Sequence, residues 1–219
     1  MIQNKSKRIN LQIALDVGDS ASLLKIADQV AAHADWIEVG TPWIMQEGMA
    51  PVRAMREMLP GKTIFADLKI MDAGEHEAGI GFSAGADIVT VLGAASNATI
   101  SGAIRAACAH SKKVMVDLIQ VVDTLSRTQE VLHLGAHYVA LHNAFDDLES
   151  GLSPDANISR FTELAPESII IGGGIGPHNI AAIARHHPHT IIVGRAVTGA
   201  ANPGKAAQEL RSILDHIDG

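Results

Sequence analysis

Cysteine is almost missing from this 219-residue chain, which has one, Cys108. A single thiol excludes an intrachain disulfide framework and a cysteine-based zinc site. Cys108 falls on the apolar stripe of a helical pattern, where burial as a small hydrophobe is expected. Aromatic residues are scarce too, at 3% against 47% hydrophobic overall, so the core must be aliphatic and rich in Ala and Gly. There is no excess of positive charge, and the formal net charge is −7. That balance argues against a nucleic-acid or anionic-membrane surface and leaves only a local positive pocket. No apolar run approaches the length of a membrane span. The first ten residues, with Lys5, Lys7 and Arg8, lack the apolar core of a signal peptide. A soluble cytoplasmic protein with a small-molecule partner is the expectation.

What is present is a regular alternation. Eight short runs read as strands: Leu11–Leu15, Trp36–Val39, Thr63–Leu68, Ile88–Leu92, Lys113–Leu118, Tyr138–Leu141, Ser168–Ile171 and Thr190–Val193. They are nearly continuous in Ile, Val and Leu, as parallel strands buried on both faces should be. Helical stripes lie between them. Leu23, Leu24, Ala27, Val30 and Ala31 follow the start signal Asp19-Ser20. Met49, Val52, Met55 and Leu59 make a second stripe; Ile100, Ala103, Ile104, Ala107 and Cys108 a third; Leu125 and Leu132 mark a weaker one. The last helix is predicted from Pro203 to about His216, with Pro203 in its first turn. Eight strand–helix units predict a (β/α)8 TIM barrel of the α/β class, one domain over residues 1–219 with a polar tail at 1–9. The irregular segment Phe145–Asn157 is expected to loop over the barrel mouth.

The most informative stretch is Phe65-Ala66-Asp67-Leu68-Lys69-Ile70-Met71-Asp72-Ala73-Gly74-Glu75-His76. Strand side chains alternate faces, so Asp67 and Lys69 point the same way. In a parallel sheet both faces are covered, and charge there is costly unless paired. One such pair is ordinarily structural. Two carboxylates, Asp67 and Asp72, about one lysine at a strand's carboxyl end point instead to a functional site.

The other strand ends agree. Asp16, Glu38, Asp117 and His142 close the first, second, fifth and sixth strands. Gly172-Gly173-Gly174 follows the seventh and Gly194-Arg195 the eighth, the two places where such barrels bind phosphate. Glycine lets backbone N–H groups approach an anion, the helix after Gly176-Pro177 adds a positive end, and Arg195 adds a bidentate charge. The alternative for the glycines is a tight turn. Glu38, Asp67 and Asp16 are hard oxygen donors in the small number that suits Mg2+; the alternative is a hydrogen-bonded polar layer. His142 can move protons near neutral pH. His186-His187-Pro188-His189 looks metal-like by composition, but it lies at the wrong end of the last strand and reads as a solvated connection.

Together, Ala14-Leu15-Asp16, Ile37-Glu38-Val39-Gly40-Thr41-Pro42, Asp67-Leu68-Lys69-Ile70-Met71-Asp72-Ala73-Gly74-Glu75, Gly85-Ala86-Asp87-Ile88-Val89-Thr90-Val91 and Val193-Gly194-Arg195 resemble the 3-hexulose-6-phosphate synthase family. That family belongs to the orotidine 5′-monophosphate decarboxylase superfamily, as do the 3-keto-L-gulonate-6-phosphate decarboxylases. The resemblance runs from Leu11 to the final helix. It implies a lyase acting on a sugar phosphate. Glu38 and Asp67 would hold Mg2+, Lys69 would stabilise an enediolate oxygen, and His142 would move protons. Gly173, Gly174, Gly194 and Arg195 would hold phosphate, with Asp16 beside the substrate. Asp72 would reach into the neighbouring subunit's site, making a homodimer with shared active sites. Asp117 stands where the decarboxylase pattern has Glu, and Phe145 where it has Arg. Both departures, with Leu68, favour the aldolase that joins D-ribulose 5-phosphate to formaldehyde over the decarboxylase.

Overall fold

A computed structural model of the chain describes residues 8–16, 18–143 and 158–218. Eight parallel strands close into a barrel in sequence order, each hydrogen-bonded to the next and β8 to β1. The strands are β1 Asn10–Leu15, β2 Trp36–Val39, β3 Thr63–Ile70, β4 Ile88–Leu92, β5 Lys113–Asp117, β6 Tyr138–His142, β7 Ile169–Gly172 and β8 Thr190–Val193. The helices are α1 Ser20–Val30, α2 Thr41–Glu47, α3 Ala50–Met58, α4 Gly74–Ser83, α5 Asn97–His110, α6 Thr124–His133, α7 Ile158–Leu164, α8 Ile180–Ala184, α9 Arg195–Thr198 and α10 Pro203–Asp218.

The local signals act as their chemistry requires. Asp19 caps α1 by accepting from Ser22 N at 3.0 Å. Pro42, in the first turn of α2, starts a helix that sequence periodicity did not isolate from α3; Gly48, at φ +62°, separates the two. Each strand sends one set of side chains outward under the helices, where Leu11, Ile13, Leu15, Ile37, Val39, Ile64, Val89, Val91 and Ile171 pack. The other set fills the barrel: Trp36, Phe65, Ile88, Met115, Tyr138, Ala140 and Ile170, with Ile192. Fully burying an aliphatic side chain contributes about 1.5–3 kcal/mol, which suits a chain short of aromatics.

Three expectations need correction. Cys108 is exposed. The buried arc of α5 runs through Thr99, Ile100, Gly102, Ala103, Ala106 and Ala107, and position 108 lies outside it. His189 is not simply a solvated connector. Its ring packs on Tyr138 and Trp36 at centroid distances of 4.8 and 5.6 Å, plugging the amino end of the barrel. Of the expected polar tail, residues 1–7 lie outside the described residues, and Ile9 is buried. Its carbonyl accepts from Arg211 Nη1 at 2.8 Å, tying α10 to the start of β1. The expected mouth loop at 145–157 also lies outside the described residues. No described helix is long and apolar enough to cross a membrane.

Candidate active site

The third strand is where regular pairing stops. Ala66 pairs with Val89 and Ile70 with Val91, so four steps along β3 match two along β4. The excess forms a bulge, and Lys69 takes φ +47°, a left-handed conformation uncommon for a side-chain-bearing residue. Alternation therefore puts Asp67 and Lys69 together only with help from this bulge. Thr90, fully buried in β4, holds it: Lys69 N donates to Thr90 Oγ1 at 2.7 Å, and Thr90 Oγ1 donates to Asp67 Oδ1 at 2.8 Å.

The side chains converge at the carboxyl mouth. Lys69 Nζ lies 2.7 Å from Asp67 Oδ2 and 3.3 Å from Asp117 Oδ2. Thr41 Oγ1 sits 2.8 Å from Asp67 Oδ2 and 2.7 Å from the Asp67 carbonyl. Asp117 is 1% exposed. Its Oδ1 accepts from Ile119 N at 2.9 Å, and its Oδ2 meets His142 Nδ1 at 2.8 Å. Burial alone would raise Asp117, but the hydrogen bond and charge of His142, with Lys69, bring it below the ordinary carboxylate range. Burial likewise opposes the Lys69 charge, but Asp67 and Asp117 outweigh it and hold the ammonium above an ordinary lysine. Asp16 and Glu38 go the other way, each raised first by burial and then by repulsion from Asp67.

The expectation of two carboxylates about Lys69 is met by Asp67 and Asp117, not by Asp72. Asp72 is exposed, and its Oδ1 accepts from Ala73 N at 2.7 Å, outside its own chain's cluster. The chain turns away after Ile70, carrying Met71 and Asp72 to the surface.

The glycine rim lies on the same mouth. Gly173 and Gly174 adopt φ +94° and +68°. A Cβ on Gly173 would come within 2.4 Å of the Asn143 carbonyl, so this approach to β6 requires glycine. Asn179 fastens the turn, donating to Gly174 O at 3.1 Å and accepting from Gly176 N at 3.0 Å. The following α8 has only five residues, so its dipole is a smaller contributor than expected. Gly194 caps α9, which Arg195 opens, with its side chain exposed. Asp16 joins this rim to the acids. Its carboxylate fits beside Gly40 and Gly194, where a Cβ on Gly40 would stand 2.1 Å from Asp16 Oδ1. Of the predicted site residues, Asp67, Lys69, Asp117 and His142 are in direct contact, Asp16 lies against Gly194, and Gly173, Gly174 and Arg195 stand at strand ends on the same mouth. Gly40, Thr41 and Thr90 were missed; the one available signal for Thr90 was a hydroxyl inside an otherwise apolar strand. Among the described residues no three His, Cys, Asp or Glu side chains form a ready metal site.

A closed (β/α)8 barrel carrying an acid–lysine–acid set at its mouth is the frame of an enzyme, and the chain belongs to the orotidine 5′-phosphate decarboxylase / HUMPS family, whose profile matches residues 9–210. Within that family its relatives are specific. It is 41% identical over 206 residues to 3-hexulose-6-phosphate synthase from Mycobacterium gastri, covering 94% of this chain and 100% of the relative. The crystal structure of 3-hexulose-6-phosphate synthase from Salmonella typhimurium superposes with a TM-score of 0.91 at 36% identity, over 95% of this chain and all of that one. The 3-keto-L-gulonate-6-phosphate decarboxylase from Vibrio cholerae gives a TM-score of 0.84 at 29% identity, over 96% of this chain and 99% of that one.

Proposed function

We propose that this enzyme is an aldolase joining D-ribulose 5-phosphate to formaldehyde, giving D-arabino-hex-3-ulose 6-phosphate. The observation that carries the reading is Lys69, a charged ammonium fixed between Asp67 and Asp117 beside His142. The identity to named 3-hexulose-6-phosphate synthases supports it.

The phosphate would rest on Gly173, Gly174, Gly194 and Arg195, which places C1 and the C2 ketone over the acid–lysine set. Asp117, kept ionised, accepts from His142 Nδ1–H and so leaves Nε2 as the base that takes a C1 proton. The electrons of that C–H bond become the enediolate, whose oxygen faces the Lys69 ammonium. C1 then attacks the formaldehyde carbon, the C=O electron pair moves to oxygen, and His142 returns the proton. Holding both reactants in one cup removes much of the entropic barrier.

Mg2+ fits the donor set. Asp16, Glu38, Asp67 and Asp117 oppose one ammonium at the mouth, a local excess of negative charge carried by hard oxygens. Glu38 and Asp67 would hold the ion, leaving positions for substrate oxygens. When bound, the ion supplies charge that makes the proton next to the ketone more acidic.

The working unit is a homodimer, in which each copy lends Asp72 to the other's mouth. Asp72 and the neighbouring Met71, 53% exposed, form the surface a second copy would cover. The test is a Mg2+-dependent assay of ribulose 5-phosphate with formaldehyde, run against 3-keto-L-gulonate 6-phosphate. Faster release of CO2 from the second substrate would overturn the aldolase assignment.

A further inference from the structure

At its waist the barrel interior is mostly apolar on β2 to β8, with the Thr90 hydroxyl of β4 an exception. On β1 it is not. Gln12 is 0% exposed, at a level where β2 to β8 contribute Trp36, Phe65, Ile88, Met115, Tyr138, Ala140, Ile170 and Ile192. Its Nε2 donates to Glu38 Oε2 at 2.5 Å, while its buried Oε1 has no hydrogen-bond partner among the described residues. A buried amide with an unpaired oxygen is costly, and an aliphatic side chain of the same volume would fill the space without that cost. Stability alone does not account for an amide here. What the amide does is grip one oxygen of Glu38.

The consequence is geometric. Glu38 stands on β2, flanked through the register Ala14↔Glu38↔Phe65 by residues that offer no donor. Among the described residues, Gln12 supplies its only side-chain hydrogen bond. Without that contact the carboxylate can rotate about its last torsion, which is soft. With it, Oε2 is held toward Gln12, whose register partner Trp36 lies deeper in the barrel than Glu38.

We infer that Gln12 is a positioning residue that fixes the Glu38 carboxylate for a divalent cation, acting from beneath the site without touching the ion or the substrate. The inference rests on the proposed Mg2+ role of Glu38 and assigns its orientation to a specific donor.

The experiment is a Mn2+ titration of the full-length protein followed by electron paramagnetic resonance, with Mg2+ as competitor. Wild type, Gln12→Met, Gln12→Leu and Glu38→Gln are compared, and the melting temperature of each is recorded without metal. Gln12→Met matches the length of glutamine, and Gln12→Leu stands in if that variant folds poorly. Supporting carboxylate or amide partners of metal ligands typically change affinity by about 10–100-fold. The expected result is a loss in that range for both Gln12 variants, with metal-free melting lowered by no more than the few degrees that one lost buried hydrogen bond accounts for, and ribulose 5-phosphate affinity without metal unchanged. Equal Mn2+ affinity in wild type and both Gln12 variants, with Glu38→Gln impaired, overturns the inference alone. Equal affinity in wild type and Glu38→Gln overturns the metal assignment of Glu38, and this inference with it.

Discussion

Thr90 and Lys69 are linked through the backbone rather than through the lysine's charge: the buried hydroxyl accepts a hydrogen bond from the Lys69 N–H at 2.7 Å and donates one to Asp67 Oδ1 at 2.8 Å. One β4 side chain therefore stabilises the left-handed turn and orients the acid beside it. Thr90→Val keeps the shape and removes both bonds. It leaves a buried N–H unpaired, which costs about 1–3 kcal/mol. Turnover should fall by about 10-fold or more as Lys69 shifts, since small misplacements are expensive in catalysis. Thr90→Ser should stay close to wild type. Steady-state rates and urea unfolding of the two variants check this.

Lys69→Ala should lose at least about 10^3-fold in kcat, the scale of removing a preorganised donor to a developing oxyanion. Circular dichroism should show the barrel intact. An unchanged kcat would remove Lys69 from the reaction.

Asp117 sets a pH signature. Its folded pKa is depressed, so its contribution to stability is present above the unfolded value of about 3.9 and is lost as pH falls through the lower folded value. Asp117→Asn strips Lys69 and His142 of a shared partner, at a cost of about 3 kcal/mol near neutrality. The stability gap between wild type and Asp117→Asn should be flat from pH 7 to about pH 4 and should narrow below that. Thermal melts across that range read it directly.

Arg195 opens α9 just after β8, and in the proposed reaction its guanidinium would meet the phosphate and not the reacting carbons. Arg195→Ala should raise KM for ribulose 5-phosphate by about 10-fold or more, with a smaller change in kcat, because a phosphate contact binds ground and transition states alike. A variant lacking the phosphate clamp entirely would also lose discrimination against unphosphorylated ribulose.

The proposed sharing of sites between two copies predicts complementation. Lys69→Ala and Asp72→Ala are each expected to be inactive. Unfolded and refolded together, they should recover about a quarter of wild-type activity, since half the dimers are mixed and each mixed dimer has one intact site. No recovery would assign Asp72 to its own chain.

The fold was legible because parallel strands buried on both faces leave nearly continuous Ile, Val and Leu runs, such as Ile169-Ile170-Ile171. The acids and glycines were legible because they sit at strand ends, where an apolar run stops. Thr90 and Gln12 were not, since a lone polar residue inside such a run reads as tolerated filler, and only the side chain on the neighbouring strand reveals its use. Asp117 was visible as a strand end, yet its pairing with Lys69 was hidden by 48 residues of separation. Cys108 misled for a simpler reason: a stripe read from helical spacing does not mark where the buried arc ends.

The rings of Trp36, Tyr138 and His189 stop the barrel from below, and fully buried Phe65 and Ile170 fill its waist. Everything therefore travels through one doorway. In the proposed reaction a sugar phosphate seated across it would leave formaldehyde only the gap above the bound chain, and the six-carbon product would have to depart before the next pair could take its place. Traffic, and not chemistry alone, would then shape how this enzyme responds when its two reactants are supplied unequally.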